Sequence, residues 1–453
     1  MTDSNSDVRI NGFPTAAAIA DDDFLAVDSA TSGTRKYPVN KLIAAAAAAQ
    51  SPVLDDWSQA AVYIHAGLGP VYFPVGVQAV LDWSTYESSS SAKAEYEMPL
   101  DAVHHGVGTL GSGDEIPVVF FQSHYCLPFD TMFSQDQAFL CAIDGLPAGT
   151  YHFTMGFSWG NNVVSGKSYQ FTLANALPAN GQLAGLYGAP DQSPANWRVY
   201  AFSSATATTA TETVALSEGT GGADLGTFTA AGAQVVPAGG TPATSSTVTV
   251  GGTDYRFYGL NSLHRVAYGN NRWLHSAIRQ YLNKSGYDWW VPATVFDRPP
   301  AYASRIGFLS GFDEGFLAHV RPIARKTALN YVTDGGTSDA PEYDTTYDMF
   351  VLPSGTEHFI ADNSTFGGGQ GLEGYQWDYW KAVLGSQTPA AWYSTYPQYK
   401  QYDLSAHTAS RFVWLRSAAR SSGYSVASVY SSGYCPSNGA VSGLRAAPAC
   451  AIG

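Results

Sequence analysis

Residues 412–453 read FVWLRSAARSSGYSVASVYSSGYCPSNGAVSGLRAAPACAIG and close the chain. The stretch opens on the apolar run FVWL, which is typical of a buried strand, and residues 416–442 are then dominated by Ser, Tyr, Gly, Ala and Asn. Tyrosine gives a rigid amphipathic surface at low entropy cost, while serine, glycine and asparagine give adaptable hydrogen bonds. The pattern predicts a display surface for a ligand, and a Ser/Gly-rich loop on a β domain is the alternative.

The display segment contains six candidate ligand-binding residues, chosen because they are aromatic or polar: Arg420, Tyr424, Ser428, Tyr430, Tyr434 and Asn438. Such side chains can stack on sugar rings or grip an irregular protein surface, and the sequence leaves both open. Each single site would be weak, but several copies on one particle gain affinity through avidity. We therefore expect a homo-oligomer, specifically a homotrimer.

Three short motifs at this end carry a resemblance to a known fold: WLRS at 414–417, SG at 432–433 and GLRAAP at 443–448. They resemble the end of the C-type-lectin-like fold in phage tail-fibre and receptor-binding proteins, in variable proteins of diversity-generating retroelements, and in formylglycine-generating-enzyme-type domains. The resemblance begins near Tyr255. It implies a mixed α/β domain whose last strands display a ligand-binding face.

Composition sets the broad class. A chain of 453 residues suggests two or three domains, and few charges (13%) with many aromatic residues (13%), 46 Gly and 24 Pro favour a multidomain, mainly β protein. The net charge of -14 without a basic stripe argues against nucleic acid as a partner. The first thirty residues lack the pattern of a secretory signal, and no apolar run has the length of a membrane span. We expect synthesis in the host cytoplasm and no membrane insertion.

Three domains are expected. Residues 1–50 predict an anchor or oligomerisation segment, with a hairpin around 24–39 and a helix over 40–49, and they resemble the N-terminal anchors of phage fibre and spike proteins. A flexible leader is the alternative. Residues 51–250 predict an antiparallel, β-sandwich-like spacer, in which 203–249 are edge strands or a linker. Residues 251–453 are expected to be the C-type-lectin-like ligand-binding domain that the resemblance implies.

Several elements can be predicted inside these domains. Short apolar or alternating runs predict strands at 62–64, 71–75, 118–122, 149–155 and 169–173. Residues 270–286 predict a helix with one apolar stripe and a C-terminal glycine cap. Runs that follow at 287–292 and 348–354 resemble buried strands of the lectin-like domain. The tryptophans of the first run are expected in the core.

Signals for chemistry are weak. His104 and His105 are expected in a solvated loop, since the acidic and cysteine residues near them form no recognisable partner pattern. An acidic stretch could offer oxygen ligands to calcium, but its spacing matches no fixed calcium loop; its members are Asp334, Asp339, Glu342, Asp344 and Asp348. We expect no metal and no cofactor.

The cysteines bear on a second hypothesis. Cys126, Cys141, Cys435 and Cys450 are interpreted as buried free thiols, with two disulfides as the alternative. An enzyme of the formylglycine-generating type would need reactive cysteines, and only Cys435 and Cys450 lie in the right domain.

The favoured hypothesis is a non-enzymatic phage virion protein, a tail fibre or receptor-binding protein. It would bind a host cell-surface glycan or protein through its C-terminal tip and contact other virion proteins through residues 1–50. A purely structural decoration protein of the virion is a further alternative, and the sequence leaves open whether the tip is diversified.

Overall fold

The structure is a computed structural model. It describes residues 24–29, 33–38, 57–134, 138–143, 145–156, 165–179, 182–186, 198–204, 207, 209–231, 234–237, 246–259, 269–292, 297, 299–335, 337, 339–358, 373–384, 395 and 397–453.

The protein is mainly β, with 42% strand and 14% helix, and most neighbouring strands are antiparallel. This confirms the expected class. The strands are β1 (Phe24–Ser29), β2 (Gly33–Pro38), β3 (Gln78–Tyr86), β4 (Lys93–Thr109), β5 (Glu115–Ser123), β6 (Tyr125–Cys126), β7 (Ala138–Ile143), β8 (Gly149–Met155), β9 (Ser168–Leu173), β10 (Gln182–Leu186), β11 (Arg198–Phe202), β12 (Glu212–Ala215), β13 (Ser217–Glu218), β14 (Ala223–Ala231), β15 (Gln234–Pro237), β16 (Ser246–Val250), β17 (Thr253–Gly259), β18 (Ile323–Ala328), β19 (Tyr343–Asp348), β20 (Phe350–Val351), β21 (Gln401–Asp403), β22 (Ser410–Arg411), β23 (Val413–Ala418), β24 (Ser425–Val429), β25 (Ser437–Gly439) and β26 (Ala449–Ile452).

Helices are short and lie between the strands. The α-helices are α1 (Trp57–His65), α2 (Gly69–Tyr72), α3 (Ala277–Leu282), α4 (Glu314–Leu317), α5 (Gly355–His358) and α6 (Asp378–Leu384), and 3-10 helices span Trp273–His275, Phe308–Gly311 and Pro397–Tyr399. Among the described residues, no helix is long and apolar enough to cross a membrane.

A five-stranded sheet in the order β20-β26-β5-β4-β3 organises the fold. The last strand, β26, lies in its interior, where Cys450 faces Phe350 on one side and Phe121 on the other. Both faces of the sheet are covered. Cys450 and Ile452 pack into one hydrophobic core, and the alternate residues Ala449 and Ala451 pack into another. This alternation follows from the two-residue period of a strand.

This sheet corrects the expected domain plan. It joins strands from 78–123 to strands from 350–452, so the boundary between 51–250 and 251–453 does not separate two independent folds. Residues 57–134 and 269–453 form one body, which we call the core unit. Local sequence patterns predict where strands lie, but they carry no information about which distant strand is the partner.

The chain leaves the core unit before residue 138 and returns to it after residue 259. We call residues 138–259 the inserted unit. Its first and last strands, β7 and β17, pair antiparallel. Two sheets, β12-β11-β10-β7-β17-β16 and β13-β9-β8-β14-β15, share one hydrophobic core that includes Phe153, Phe171 and Phe228. The edge strands expected within 203–249 are confirmed, because β12, β13, β15 and β16 all lie at sheet edges. The linker alternative is wrong, since β14 lies inside its sheet.

The local predictions had mixed outcomes. Strands at 118–122, 149–155 and 169–173 correspond to β5, β8 and β9, and the hairpin pairs as β1 and β2. The strands predicted at 62–64 and 71–75 are wrong, because these residues lie in or beside α1 and α2. In α1, Ala60, Ala61 and Ile64 are buried at helical spacing. The helix expected at 40–49 lies outside the described residues.

The helix expected at 270–286 is shorter than predicted. A 3-10 turn comes first, and α3 begins only after Ser276, whose hydroxyl accepts a hydrogen bond from the Arg279 amide at 3.2 Å. The predicted glycine cap is wrong, because α3 ends at Leu282 and its C-cap residue is Asn283, whereas Gly286, with φ +74°, lies three residues further on. The core placement is confirmed for Trp289, which is 1% exposed, and β20 is buried as expected.

Candidate functional site

The C-terminal display segment folds as a three-stranded sheet in the order β23-β24-β25. All six residues of β23 are buried, and four of the five residues of β24 are buried. Trp414 faces Ser428 across the sheet, and its indole donates a hydrogen bond to the Thr131 carbonyl at 3.1 Å. The segment is therefore largely core, and only its ends and one edge reach solvent.

Two of the six candidate residues are buried. Arg420 is 3% exposed, and its guanidinium donates to the Thr337 carbonyl. Ser428 is fully buried and bonds to the Pro436 carbonyl and to Asn438. Their expected role as direct ligand contacts does not agree with this placement. A polar residue is expected at the surface when only the sequence is known, because the partners that allow its burial come from other segments of the chain.

The other four candidates are half-buried, and three of them meet at one end of the sheet. The Tyr430 ring stacks on Phe412 with centroids 4.1 Å apart and planes 1° apart, and Tyr434 stands nearly perpendicular to Tyr430 at 5.9 Å. The Tyr430 hydroxyl donates to the Asn438 side-chain oxygen at 3.0 Å. Phe412 is 40% exposed. We call Phe412, Tyr430, Tyr434 and Asn438 the aromatic patch.

Hydrogen bonds connect the aromatic patch to the buried part of the sheet. Asn438 donates its side-chain amide to the Ser428 hydroxyl at 2.7 Å, so the chain Tyr430–Asn438–Ser428 connects the exposed ring to buried β24. A tight turn, in which the Tyr430 amide donates to the Tyr434 carbonyl at 2.7 Å, fixes the third ring. Phe412 cannot be recognised as a surface residue from the sequence, because it belongs to an apolar run, FVWL, whose other members are buried.

Tyr424 lies away from the aromatic patch. It precedes β24 and Tyr430 follows it, which places them about 20 Å apart along the strand. The turn next to Tyr424 is fastened by Asn271, whose amide donates to the Ser422 carbonyl at 2.7 Å and the Ser425 carbonyl at 2.9 Å. Tyr424 therefore belongs to a different surface.

A buried charge cluster lies beneath β23. Arg416 and Glu357 form an ion pair with side chains 0% and 1% exposed, and Arg325 lies 3.3 Å from the same carboxylate. Burial alone would raise the pKa of Glu357, but the charges of Arg416 and Arg325 outweigh it and hold that pKa below its usual value. Glu373 accepts from the Ala328 amide at 2.7 Å, and burial raises its pKa. The cluster fixes the scaffold under the display sheet.

His358 adds an acid-sensitive group to this region. Its ring packs 3.9 Å from Trp380, and burial lowers its pKa to about 3. A histidine with a lowered pKa stays neutral in the folded protein, whereas the same histidine in the unfolded chain binds a proton. The free energy of unfolding therefore falls as the pH drops below 6.5 towards 3.

We expect the free energy of unfolding to lose about 2 kcal/mol from this histidine between pH 7 and pH 5. The check is denaturant unfolding of the native protein and of His358→Phe at both pH values. The variant keeps an aromatic ring that cannot bind a proton. Between pH 7 and pH 5 its free energy of unfolding should therefore fall by about 2 kcal/mol less than that of the native protein. Equal losses in both proteins would contradict a neutral buried His358.

The histidines expected in a loop lie on a strand. His104 and His105 are part of β4; His104 contacts Asp378 at 2.8 Å, and His105 contacts the Phe73 carbonyl at 2.7 Å. The loop expectation is wrong because the acidic partner lies 274 residues away in sequence.

Three of the five acidic residues considered for calcium, Asp334, Asp344 and Asp348, accept hydrogen bonds from protein side chains. Asp344 receives two hydrogen bonds from Arg272, at 2.6 and 2.7 Å, and Asp348 pairs with Arg279 at 2.8 Å. Within the described residues, no three His, Cys, Asp or Glu side chains are grouped so that they could hold a metal ion.

Cys126, Cys435 and Cys450, whose side chains the structure describes, are free and buried, as expected for them. Burial raises the pKa of Cys126 to about 12, and it raises the pKa of the other two as well. A thiol reacts as its thiolate, so these environments suppress reactivity at neutral pH.

In the comparison with known proteins, residues 253–453 match the family model of a domain of unknown function (DUF6273). The match begins close to the expected boundary at 251 and includes all six candidate residues. The strands β3, β4 and β5, which complete the central sheet, lie before it. No curated protein matches the chain. No solved structure matches it either.

Proposed function

We propose that the protein is a non-enzymatic phage virion protein that binds a host cell-surface ligand through the aromatic patch. The observation that carries the proposal is the patch itself. Three aromatic rings in fixed mutual orientation project from one end of a buried sheet, and one of them is tied to that sheet through Asn438. Rigid, half-exposed aromatic residues are frequent hot spots of binding interfaces.

The proposed fold is C-type-lectin-like in the core unit and sandwich-like in the inserted unit. The first part is supported by the position of the aromatic patch on β25 and beside the ends of β23 and β24, in the C-terminal part of the chain to which the sequence resemblance assigns the ligand-binding face. The second part is supported by the two sheets that share one core in residues 138–259.

The ligand in this proposal is a glycan or a protein of the host surface. Phe412 and Tyr430 present flat rings and Asn438 presents an amide, a combination that suits sugar rings and protein side chains alike. Trimerisation, with residues 1–50 attached to other virion proteins, supplies the avidity that a small patch needs.

The thiol environments favour a binding protein over a formylglycine-generating-type enzyme. Such an enzyme needs reactive cysteines, whereas Cys435 and Cys450 are buried with raised pKa values. A purely structural decoration protein is the alternative that must be tested by experiment, since it would have no use for a binding patch.

The test is adsorption of the fluorescently labelled full-length protein to a panel of bacterial strains. We expect Tyr430→Ala and Tyr434→Ala to reduce adsorption to the bound strain at least thirtyfold, which corresponds to about 2 kcal/mol for a hot-spot residue. Their melting temperatures should stay close to that of the native protein, because both rings are half-exposed.

Tyr347→Ala is the matched control. Tyr347 is 47% exposed on β19 and lies outside the aromatic patch, so adsorption should be unchanged. Adsorption of the patch variants at the native level would reject the patch as the binding site. Failure of the native protein to adsorb to any strain would favour the decoration protein.

A further inference from the structure

A chain of hydrogen bonds runs from the buried part of β24 to the hydroxyl of Tyr430 in the aromatic patch. The Ser428 hydroxyl lies 3.2 Å from the Pro436 carbonyl, in a fully buried position. The Asn438 side-chain nitrogen lies 2.7 Å from that hydroxyl, and the Asn438 side-chain oxygen lies 3.0 Å from the Tyr430 hydroxyl. The last two contacts are only partly buried, so the chain of hydrogen bonds leads from the core towards the surface of the patch.

The chemistry of its members gives this chain of hydrogen bonds one direction. A carbonyl oxygen only accepts, so the Ser428 hydroxyl donates its single proton to Pro436. The Ser428 oxygen then accepts from its other neighbour, which requires the NH2 group of Asn438 on that side. The Asn438 oxygen therefore points to Tyr430, and the Tyr430 hydroxyl donates its only proton to it. The Tyr430 oxygen is left with acceptor capacity alone.

A reversed Asn438 amide would give Tyr430 the opposite chemistry. The Ser428 proton would then go to the Asn438 oxygen, and the oxygens of Ser428 and Pro436 would face each other at 3.2 Å in the core with no proton between them. The Asn438 nitrogen would donate to Tyr430, whose own proton would be free for a ligand. The buried contact between Ser428 and Pro436 favours the first arrangement, in which this contact is a hydrogen bond.

We propose that Asn438 and Ser428 are positioning residues that set the Tyr430 hydroxyl as a hydrogen-bond acceptor, and that the ligand is a glycan whose hydroxyl donates to it. This inference rests on the proposed function and names the chemical class of its ligand. A sugar ring has an apolar face that packs on aromatic rings, and it has hydroxyl donors at its rim. Tyr430 offers the matching pair, a flat ring and an acceptor at the edge of that ring. The four residues of the patch carry no charge, which favours a neutral sugar over a charged group of a protein.

The first test separates the hydroxyl of Tyr430 from its ring, by adsorption of the full-length protein to the bound strain. Tyr430→Phe keeps the ring and removes the acceptor, so we expect adsorption to fall about 3–10-fold, the range for one neutral hydrogen bond. Tyr430→Ala also removes the ring and should show the larger loss. Native adsorption in Tyr430→Phe, with loss only in Tyr430→Ala, would overturn this inference and leave the patch as the binding site. Native adsorption in both variants would reject the patch itself.

Substitutions of Asn438 test the direction of the hydrogen bonds. Asn438→Leu removes the acceptor of the Tyr430 proton and should lower adsorption about 3–10-fold. Asn438→Asp has only oxygens, which accept from both Tyr430 and Ser428, so it should restore most of the adsorption that Asn438→Leu loses. A reversed amide predicts the opposite, because an aspartate cannot donate to Tyr430 and would take the proton that the ligand needs. Adsorption of Asn438→Asp at or below the level of Asn438→Leu would therefore overturn the proposal.

Ser432→Asp is the reference for the charge that Asn438→Asp adds. Ser432 is exposed in the neighbouring turn, where its hydroxyl accepts from the Tyr434 amide at 3.2 Å, and an aspartate keeps an acceptor there. The two acidic variants are compared at 1 M salt, where charges are screened beyond about 3 Å. Thermal unfolding of every variant shows that the adsorbing protein is folded.

Treatment of the cells tests the class of ligand. Periodate cleaves the diols of sugars, whereas proteinase K digests exposed proteins. Adsorption of the native protein should be lost after periodate and should persist after proteinase K. The reverse result would overturn the glycan as ligand and would place a protein donor at Tyr430.

Discussion

A protein consisting of residues 253–453 alone will not fold into a cooperative structure. In the full chain, β26 lies between β20 and β5, and β5 belongs to residues that this fragment lacks. Removing β5 leaves the amides and carbonyls of one side of β26 unpaired. It also removes Val119 and Phe121 from one core and Val118 and Phe120 from the other.

The size of this effect follows from burial. Full burial of a large apolar side chain contributes about 1.5–3 kcal/mol, and native domains are stable by only about 5–15 kcal/mol. Loss of the four β5 side chains alone is therefore comparable with the whole stability of the core unit. Residues 253–453, which match the family model, therefore lack strands that complete the central sheet.

The measurement is near-ultraviolet circular dichroism and thermal unfolding of the fragment 253–453, with 57–453 as control. The control retains α1 and all strands of the central sheet, and it should melt in one sharp transition in the core unit. A fragment 253–453 that showed native near-ultraviolet signals and a cooperative melt would show that the central sheet is not needed.

Sequence patterns predicted the elements better than their assembly. β5, β8 and β9 were found because they are short apolar or alternating runs between turn residues, and such patterns are local. The pairing of β26 with β5 is not local, and nothing in either run specifies the other. Residues 62–64 were assigned to a strand because three residues are too few to separate helical from strand periodicity.

The same distinction explains the candidate site. Tyr430, Tyr434 and Asn438 were found from composition, since half-exposed tyrosine and asparagine are common on binding surfaces. Arg420 and Ser428 were misplaced because their partners lie in other segments or across the sheet. The contact of His104 with Asp378 could not be predicted, because the two residues lie 274 positions apart in the chain.

Glu357→Gln will destabilise the protein by about 3–5 kcal/mol, the usual cost of breaking a buried ion pair by removing one partner. Glu357 faces two guanidinium groups, Arg416 and Arg325, and it also accepts from the Ser354 amide at 2.8 Å. Glutamine keeps the size but removes the charge, which leaves Arg416 and Arg325 without the carboxylate that both contact. The effect should appear as a lower denaturant midpoint with an unchanged slope.

The double variant Arg416→Met/Glu357→Gln tests the electrostatic reason. It removes one cation and one anion together, so the net charge of the cluster stays as it is in the native protein. We expect it to be more stable than the sum of the two single changes by at least about 1 kcal/mol, because residues in one ion-pair network couple by 0.5–3 kcal/mol. Strict additivity, or a cost below about 1 kcal/mol for Glu357→Gln, would show that the charges do not hold β23 in place. If the coupling is found, the charge cluster stabilises β23, the buried strand that leads from Phe412 of the aromatic patch into the core. Disruption of the charge cluster should then weaken adsorption only because the protein unfolds.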